Sequence, residues 1–411
     1  MTGRRVAITG LGVVSPHGSD AGEMFAALMR GESAVRHLAL ASDAGPFEVV
    51  GATVTGEPWA DVPRAHRVTS DRISLYALAA AERAIANAGL DLEQMDRARV
   101  GIAVGTSLGG AISQESAYAD IFVKGANRLS PFTLVKVMYN GPAAQLALRY
   151  GLGGPNLTYT TTCSSSTVSI GESMRQIRHG YADVMLAGGA EALFAKVSIK
   201  AWLALQVLAP ERADNPAATC RPFSLDRNGT VLGDGSAFVV LEAWDHAVAR
   251  GAPILAEAAG YGVCNDPSHM TQPSAAAQAR AMNLALADAA LAPDAIDYIN
   301  AHGTGTLLND TTETKAIKEV FGAHARALAV SSTKSMHGHL VGAAGALEFV
   351  IGTLAIIRQE APPTAHLDIP DPACDLDYVP KRGRATRIRA AMSNSFAVGG
   401  TAAVLVVRAP Q

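Results

Sequence analysis

Residues 158–169 read TYTTTCSSSTVS. The stretch Leu157–Thr162 is rich in β-branched and aromatic residues and suits a strand. After the cysteine, Thr167, Ile170, Met174 and Ile177 recur at close to 3.6 residues, the period of a helix with one apolar face. Gly180 then suits the left-handed residue that follows a helix. The stretch therefore predicts a strand, a tight Ser/Thr junction and a helix, with a thiol at the join. A second strand, Ser/Thr-rich junction and Gly/Ala-containing helix occupies 328–358.

Working outward, the echo extends. An Ala-rich helix over 73–90 ends at Gly89, and a strand then enters Val104-Gly105-Thr106. A second Ala-rich helix over 276–290 ends at Ala290-Leu291, and the strand DYINA enters His302-Gly303-Thr304. Each half closes with a strand leading to a double glycine, VMLAGGAE (184–191) and AAMSNSFAVGG (390–400). We read a duplicated α/β unit, residues 1–250 and 251–411, with a boundary near Gly251 and no low-complexity linker. The alternation of strands and helices predicts a mostly parallel sheet covered by helices.

Composition fits this reading. The 411 residues are 49% hydrophobic and 17% charged, enough apolar content for two core units. A net charge of −3 speaks against nucleic-acid binding as a bulk property. Arg64, Arg67, Lys124 and Arg128 are the candidates for a local basic patch, against the plainer reading of scattered solubilising charge. The four cysteines, Cys163, Cys220, Cys264 and Cys374, form no CxxC pair. The start MTGRRVAITGLGVVSP reads as a strand and turn rather than a secretory signal. No apolar run is long enough to predict membrane insertion. A reducing cytoplasm with free thiols is expected.

Cys163 stands where a helix begins. The unpaired N–H groups and the helix dipole there favour a thiolate and would stabilise an oxyanion. Ser164 and Ser165 are expected to partner those N–H groups. Cys163 reads equally well as a nucleophile and as a buried structural thiol; the other three cysteines read as structural. His302 lies just past a strand, and His339 at the mouth of a long, apolar helix. Glu348 inside that helix needs a partner, for which Lys334 is the nearest candidate. Strand ends of an open α/β sheet are where catalytic groups collect. One cysteine and two histidines admit three chemistries: a thiol–imidazole hydrolase, a zinc site, or carbon–carbon bond formation. In the last, the thiol holds an acyl group and two imidazoles stabilise an enolate.

The stretches VAITGLGVVSPHG, GPNLTYTTTCSSS, DVMLAGGAE, RPFSLDRNGTVLGDG, NAHGTGT, SSTKSMHGHLVGAAGALE and NSFAVGGT, in this order, resemble the thiolase-fold condensing enzymes. They are most similar to β-ketoacyl-[acyl-carrier-protein] synthases of the I/II type and to type II polyketide ketosynthases. The resemblance covers essentially the whole chain. It implies two thiolase-like βαβαβ halves in a layered α-β-α-β-α sandwich, the nucleophile in the first and both catalytic histidines in the second. It implies a Cys163–His302–His339 triad for decarboxylative condensation of a malonyl unit with an acyl chain held on Cys163. Lys334 paired to Glu348 would shape the field. The N–H groups of Cys163 and Phe396 would form the oxyanion hole, and Thr304 and Thr306 would bind a phosphopantetheine arm. Asp266, Phe396, Ala397 and Val398 would gate the pocket. Leu108 and Thr133 would line the acyl tunnel, Thr133 across a dimer interface. No cofactor or metal of its own is implied. The partners implied are an acyl carrier protein and a second subunit, either a copy or a chain-length-factor-like chain.

Against the usual NSFGFGGTN, this chain has Ala397 and Val398, which predicts a stiffer gate. Thr230 and Thr133 stand where aromatics are common, and Gln206 where a basic docking residue stands in relatives. These departures point away from housekeeping fatty-acid synthesis and towards a specialised polyketide or polyene pathway. Cys163 itself argues against the inactive chain-length subunits, which carry glutamine there. His337 has no assigned role and is expected in an exposed loop.

Overall fold

The computed structural model describes residues 3–411. Ten strands form one hydrogen-bonded sheet. In chain order they are β1 (Val6–Val14), β2 (Val100–Gly105), β3 (Asn156–Tyr159), β4 (Val184–Glu191) and β5 (Gly235–Ala243). The second five are β6 (Ala256–Asn265), β7 (Tyr298–Asn300), β8 (Ala329–Ser331), β9 (Ala390–Phe396) and β10 (Thr401–Arg408). The spatial order is β8-β7-β9-β10-β6-β1-β5-β4-β2-β3. Read outward from the centre, each half has the same order and the same strand directions. The halves meet where Ala7 and Ile8 of β1 pair with Glu257 and Ala256 of β6.

The sheet is not mostly parallel. β2 runs parallel to β3 and β4, and β7 to β8 and β9, but β4–β5, β5–β1, β9–β10 and β10–β6 are antiparallel. The reason is visible at β9–β10, where the short turn at 397–400 lets the chain reverse in place. The double glycines do not correspond either. Gly188 and Gly189 lie inside β4, paired to β5, whereas Gly399 and Gly400 make the turn after β9 with φ of +97° and +89°.

The Ala-rich helices are α1 (Arg72–Asn87), capped by Asp71, and α4 (Ala275–Ala289), capped by Ser274. Side chains of both caps accept from backbone N–H groups of the first turn. They pack on β1 and β6 at equivalent places. A Cβ on Gly12 would sit 2.0 Å from the Ala80 carbonyl oxygen, and one on Gly262 2.2 Å from that of Ala281. Glycine in the strand and alanine on the helix together allow this approach.

Further helices are α2 (Gly141–Tyr150), α3 (Ser165–Arg178), α5 (Leu307–Phe321) and α6 (Ala344–Arg358). Helices α1 and α2 cover one face of the first half, and α4 and α5 one face of the second. Between the halves, α3 and α6 touch each other and the strands on both sides, making the middle layer of five. The stretch Val341–Arg358 is apolar enough to cross a membrane, and 89% of it is buried inside the protein.

Candidate active site

The strand-to-helix join of the first half is built under strain. Thr162, a β-branched residue, takes φ of +49°, a conformation that costs about 1–3 kcal/mol. Its Oγ1 donates to the Val398 carbonyl at 2.6 Å, tying the join to the turn after β9. Ser164 and Ser165 do not cap α3. Their hydroxyls donate backwards to the carbonyls of Thr161 and Thr162, at 2.9 and 2.7 Å. That leaves N–H groups of the first turn without side-chain partners.

Cys163 is buried, and burial pushes its thiol up to about 11. The Lys334 charge and the N–H groups of Val398 and Cys163, which point at the sulfur, pull the other way without prevailing. The expected low-pKa thiolate is therefore corrected to a protonated resting thiol, because desolvation outweighs the helix terminus. The second N–H at the sulfur belongs to Val398, not to Phe396. Phe396 instead sets its ring edge-on to His302, at 5.8 Å between centroids.

The sulfur and one ring nitrogen each of His302 and His339 lie within 4.8 Å of one another. The two rings stand at 84°, with centroids 5.5 Å apart. His339 is fixed by backbone bonds to Val231 and Gly233, and its Nδ1 accepts from the Val341 N–H at 3.3 Å. Its proton therefore sits on Nε2, which has no protein partner. Glu313 on α5 holds the His302 loop by accepting from the N–H groups of His302 and Gly303, both at 2.8 Å. The Nδ1 of His302 has no partner. Burial, then the Lys334 charge, then a neighbouring imidazole (His339 for His302, His337 for His339) hold both rings well below the usual histidine range, so both are neutral at pH 7. These three donors are the metal-type cluster found among the described residues. They fit a cation poorly, because the Lys334 charge bears on all three and the His339 nitrogen without a partner carries a proton.

Lys334 and Glu348 form a fully buried ion pair, as the sequence suggested. Burial pushes the Glu348 carboxyl up to about 7 against the pull of Lys334. His337 is buried, not exposed. Its Nδ1 donates to the Gly338 carbonyl at 2.7 Å and its Nε2 accepts from Thr333 at 2.9 Å, so it braces the turn behind Lys334.

An open cavity of about 320 Å³ leads to Cys163, His302 and His339. Thr304 and Thr306 line it, their hydroxyls 2.9 Å apart. So do Gln206, Thr230, Asp266, Phe396, Ala397 and Val398. The two presumed gate segments are bonded to each other, Asp266 N–H to the Gly400 carbonyl at 2.9 Å and Gly399 N–H to that of Met270 at 2.8 Å. Ala397 keeps an ordinary negative φ, so alanine costs nothing in this conformation. Leu108 packs in the apolar cluster that contains Cys163 but does not line the cavity. Thr133 opens a short helix, Thr133–Val137, away from it. Of the basic candidates, Lys124 is neutralised by Asp43 and Asp120, whereas Arg64, Arg67 and Arg128 are exposed. Sequence reasoning missed Glu313 and Glu191, single carboxylates in runs whose pattern gives no local sign of a role.

Comparison with known proteins agrees with this geometry. The models for the β-ketoacyl synthase N-terminal and C-terminal domains match residues 3–247 and 255–368. The chain is 45% identical to nodulation protein E of Rhizobium meliloti over 98% of its length and 99% of the relative's. It is 40% identical to 3-oxoacyl-[acyl-carrier-protein] synthase 2 of Coxiella burnetii over 99% of both chains. Among solved structures, a type II polyketide ketosynthase in complex with its acyl-carrier protein superposes with a TM-score of 0.90 at 34% identity, covering 100% of both chains. A β-ketoacyl synthase from Burkholderia phymatum gives 0.90 at 37% identity, covering 99% of this chain and 100% of that one. The fold is thiolase-like, and the chain belongs to the β-ketoacyl synthase family.

Proposed function

We propose that Cys163, His302 and His339 are the catalytic residues of this condensing acyltransferase, a 3-oxoacyl-[acyl-carrier-protein] synthase. The observation that carries the reading is the convergence of one sulfur and two neutral imidazoles within 4.8 Å, with two backbone N–H groups aimed at the sulfur. In the first half-reaction the Cys163 sulfur attacks the acyl thioester on the carrier. His302 takes the thiol proton, since the Nδ1 of His339 already accepts from Val341 and its Nε2 carries a proton, and returns it to the departing carrier thiol. The N–H groups of Cys163 and Val398 hold the tetrahedral oxyanion. In the second half-reaction His302 and the Nε2–H of His339 donate to the malonyl thioester carbonyl. The C–C bond to the carboxylate breaks, CO2 leaves, and the electron pair becomes an enolate. Its carbon attacks the acyl carbonyl on Cys163, and the sulfur leaves as a thiolate that takes up one proton from water, the proton the overall condensation consumes.

Several features support the remaining parts of the reading. Thr304 and Thr306 offer hydroxyls along the route a phosphopantetheine arm would take, and no resident cofactor is needed. Thr230, Ala397 and Val398 cluster on one cavity, which supports a specialised polyketide or polyene substrate over a housekeeping fatty acid. β3 is a sheet edge with Leu157 exposed, and Phe122, Leu134 and Tyr139 of the same half are exposed too, apolar surface suited to a second subunit. The partner subunit would bring such a surface, and Thr133, to the tunnel. A cytoplasmic location is consistent with the burial of its most apolar helix. The intact triad disfavours the alternative of a non-catalytic chain-length subunit. The test supplies acyl- and malonyl-loaded carrier proteins of varied chain length and weighs the products by mass spectrometry. An acyl chain longer by two carbons and carrying a 3-keto group is expected; folded protein giving none at any length overturns the proposal.

A further inference from the structure

Glu191 closes β4, is fully buried, and takes no part in the chemistry above. Its carboxylate nevertheless accepts four hydrogen bonds from two separate parts of the chain. Oε1 accepts from the Leu108 N–H at 3.1 Å and the Thr106 hydroxyl at 3.2 Å. Oε2 accepts from the Ser107 N–H at 2.7 Å and the Gly342 N–H at 3.0 Å. The first part is the loop after β2, whose Leu108 packs in the apolar cluster around Cys163. The second is the turn that opens α6, and the residue before Gly342 is Val341, whose N–H fixes the His339 tautomer. The fit is close: a Cβ at Gly342 would stand 2.3 Å from Oε2 and 2.5 Å from the Ser107 nitrogen.

We propose that Glu191 is a positioning residue that locks the Leu108 wall beside the nucleophile and the His339 imidazole into one rigid unit. The packing of Leu108 against the apolar cluster around Cys163 and the aim of the His339 Nε2–H are then set together. The inference rests on the condensing reading given above. It follows from the bond pattern, because no other side chain joins these two segments to a common atom among the bonds made by the described residues.

Glu191→Gln keeps the size, offers one acceptor oxygen and turns an NH2 group towards N–H donors. Malonyl decarboxylation is expected to fall roughly tenfold to hundredfold, the scale of a misaimed catalytic group. Transfer of a short acyl group to Cys163 should change by less than about threefold, since the sulfur and its N–H pair are untouched. Glu191→Asp keeps the charge and should recover part of the lost decarboxylation. Equal loss in both steps, or in neither, overturns the proposal. If Glu191→Gln does not fold, the 15N spectrum of the His339 ring in Glu191→Asp decides. A shift away from the pure Nε2–H tautomer supports the proposal, and an unchanged ring overturns it. Wild-type protein that releases no CO2 from the malonyl carrier would instead sink the condensing reading itself, so the two failures are distinguishable.

Discussion

The joins that open α3 and α6 are the same device used twice. Each ends in a single 3-10 turn, Thr162–Ser164 shortly after β3 in one half and Val341–Ala343, beyond the short helix Lys334–His337, in the other. Each turn begins with a β-branched residue at positive φ, +49° for Thr162 and +46° for Val341. Each leads into a helix whose N-terminus carries unpaired N–H groups and a partial positive charge. The position that is Cys163 in the first join is Gly342 in the second. At Gly342 the helix terminus faces the Glu191 carboxyl, an acceptor supplied by the protein, which burial pushes up to about 7 against the pull of the N–H groups around it. At Cys163 the serine hydroxyls turn away, and the N–H groups are left for the sulfur and any oxyanion that forms next to it. The repeated join thus offers two sites for an acceptor; one is filled from within by Glu191, and the other is left open at Cys163.

The comparison can be broken in four ways. Cys163→Gln places a neutral amide at the open site. Acyl loading should vanish, while malonyl decarboxylation persists because His302 and His339 are untouched and the amide imitates an acylated thiol. Loss of both activities in folded protein, followed by CO2 release and intact-mass measurement, would contradict the division of labour. The second concerns pH. The thiol is raised to about 11, so below that value the thiolate fraction grows with pH. Alkylation of Cys163 by iodoacetamide should therefore climb about tenfold per pH unit between roughly pH 7 and 10, with no plateau. A plateau at or below the ordinary thiol range of about 8.5 would show that the helix terminus prevails over burial.

A smaller effect is expected at the filled site. Gly342→Ala forces a methyl group against Glu191 and the Ser107 nitrogen, an overpacking cost of about 1–3 kcal/mol in denaturant unfolding. No loss of stability would mean that the two segments are not clamped there. The smallest effect belongs to Thr162→Gly, which relieves the positive φ but loses the bond to the Val398 carbonyl. The two changes oppose each other, so unfolding free energy should move by less than about 1 kcal/mol. The loosened turn should appear instead as a raised KM for the acyl carrier; an unchanged KM would show that Thr162 does not restrain the gate.

Much of the scaffold was legible because its signals are local. The alanines of α1 and α4 and the stops at Gly89 and Ala290 act on near neighbours in the chain. The Cys163, His302 and His339 positions were legible for the same reason, each standing at the end of a readable element. Strand direction was not, since β4 and β5 are antiparallel across a long excursion whose path no periodicity records. His337 was misread as exposed because its turn is polar in sequence yet packed behind Lys334. Ser164 and Ser165 had the composition of caps, but the tight turn aims their hydroxyls backwards.

The sequence by itself determined the duplicated α/β unit, the thiol at a helix start, the two imidazoles at strand ends and the Lys334–Glu348 pair. All follow from propensity, period and the need to neutralise a charge in an apolar helix. Only the tertiary structure decided that the thiol rests protonated, that Val398 rather than Phe396 points its N–H at the sulfur, and that His339 carries its proton on Nε2. Those properties depend on burial and on partners distant in the chain; Glu191 and Gly342, for instance, lie 151 residues apart. Water exclusion sets the sign of a pKa shift, and a neighbour's N–H sets a tautomer, and both exist only once the halves have closed on each other.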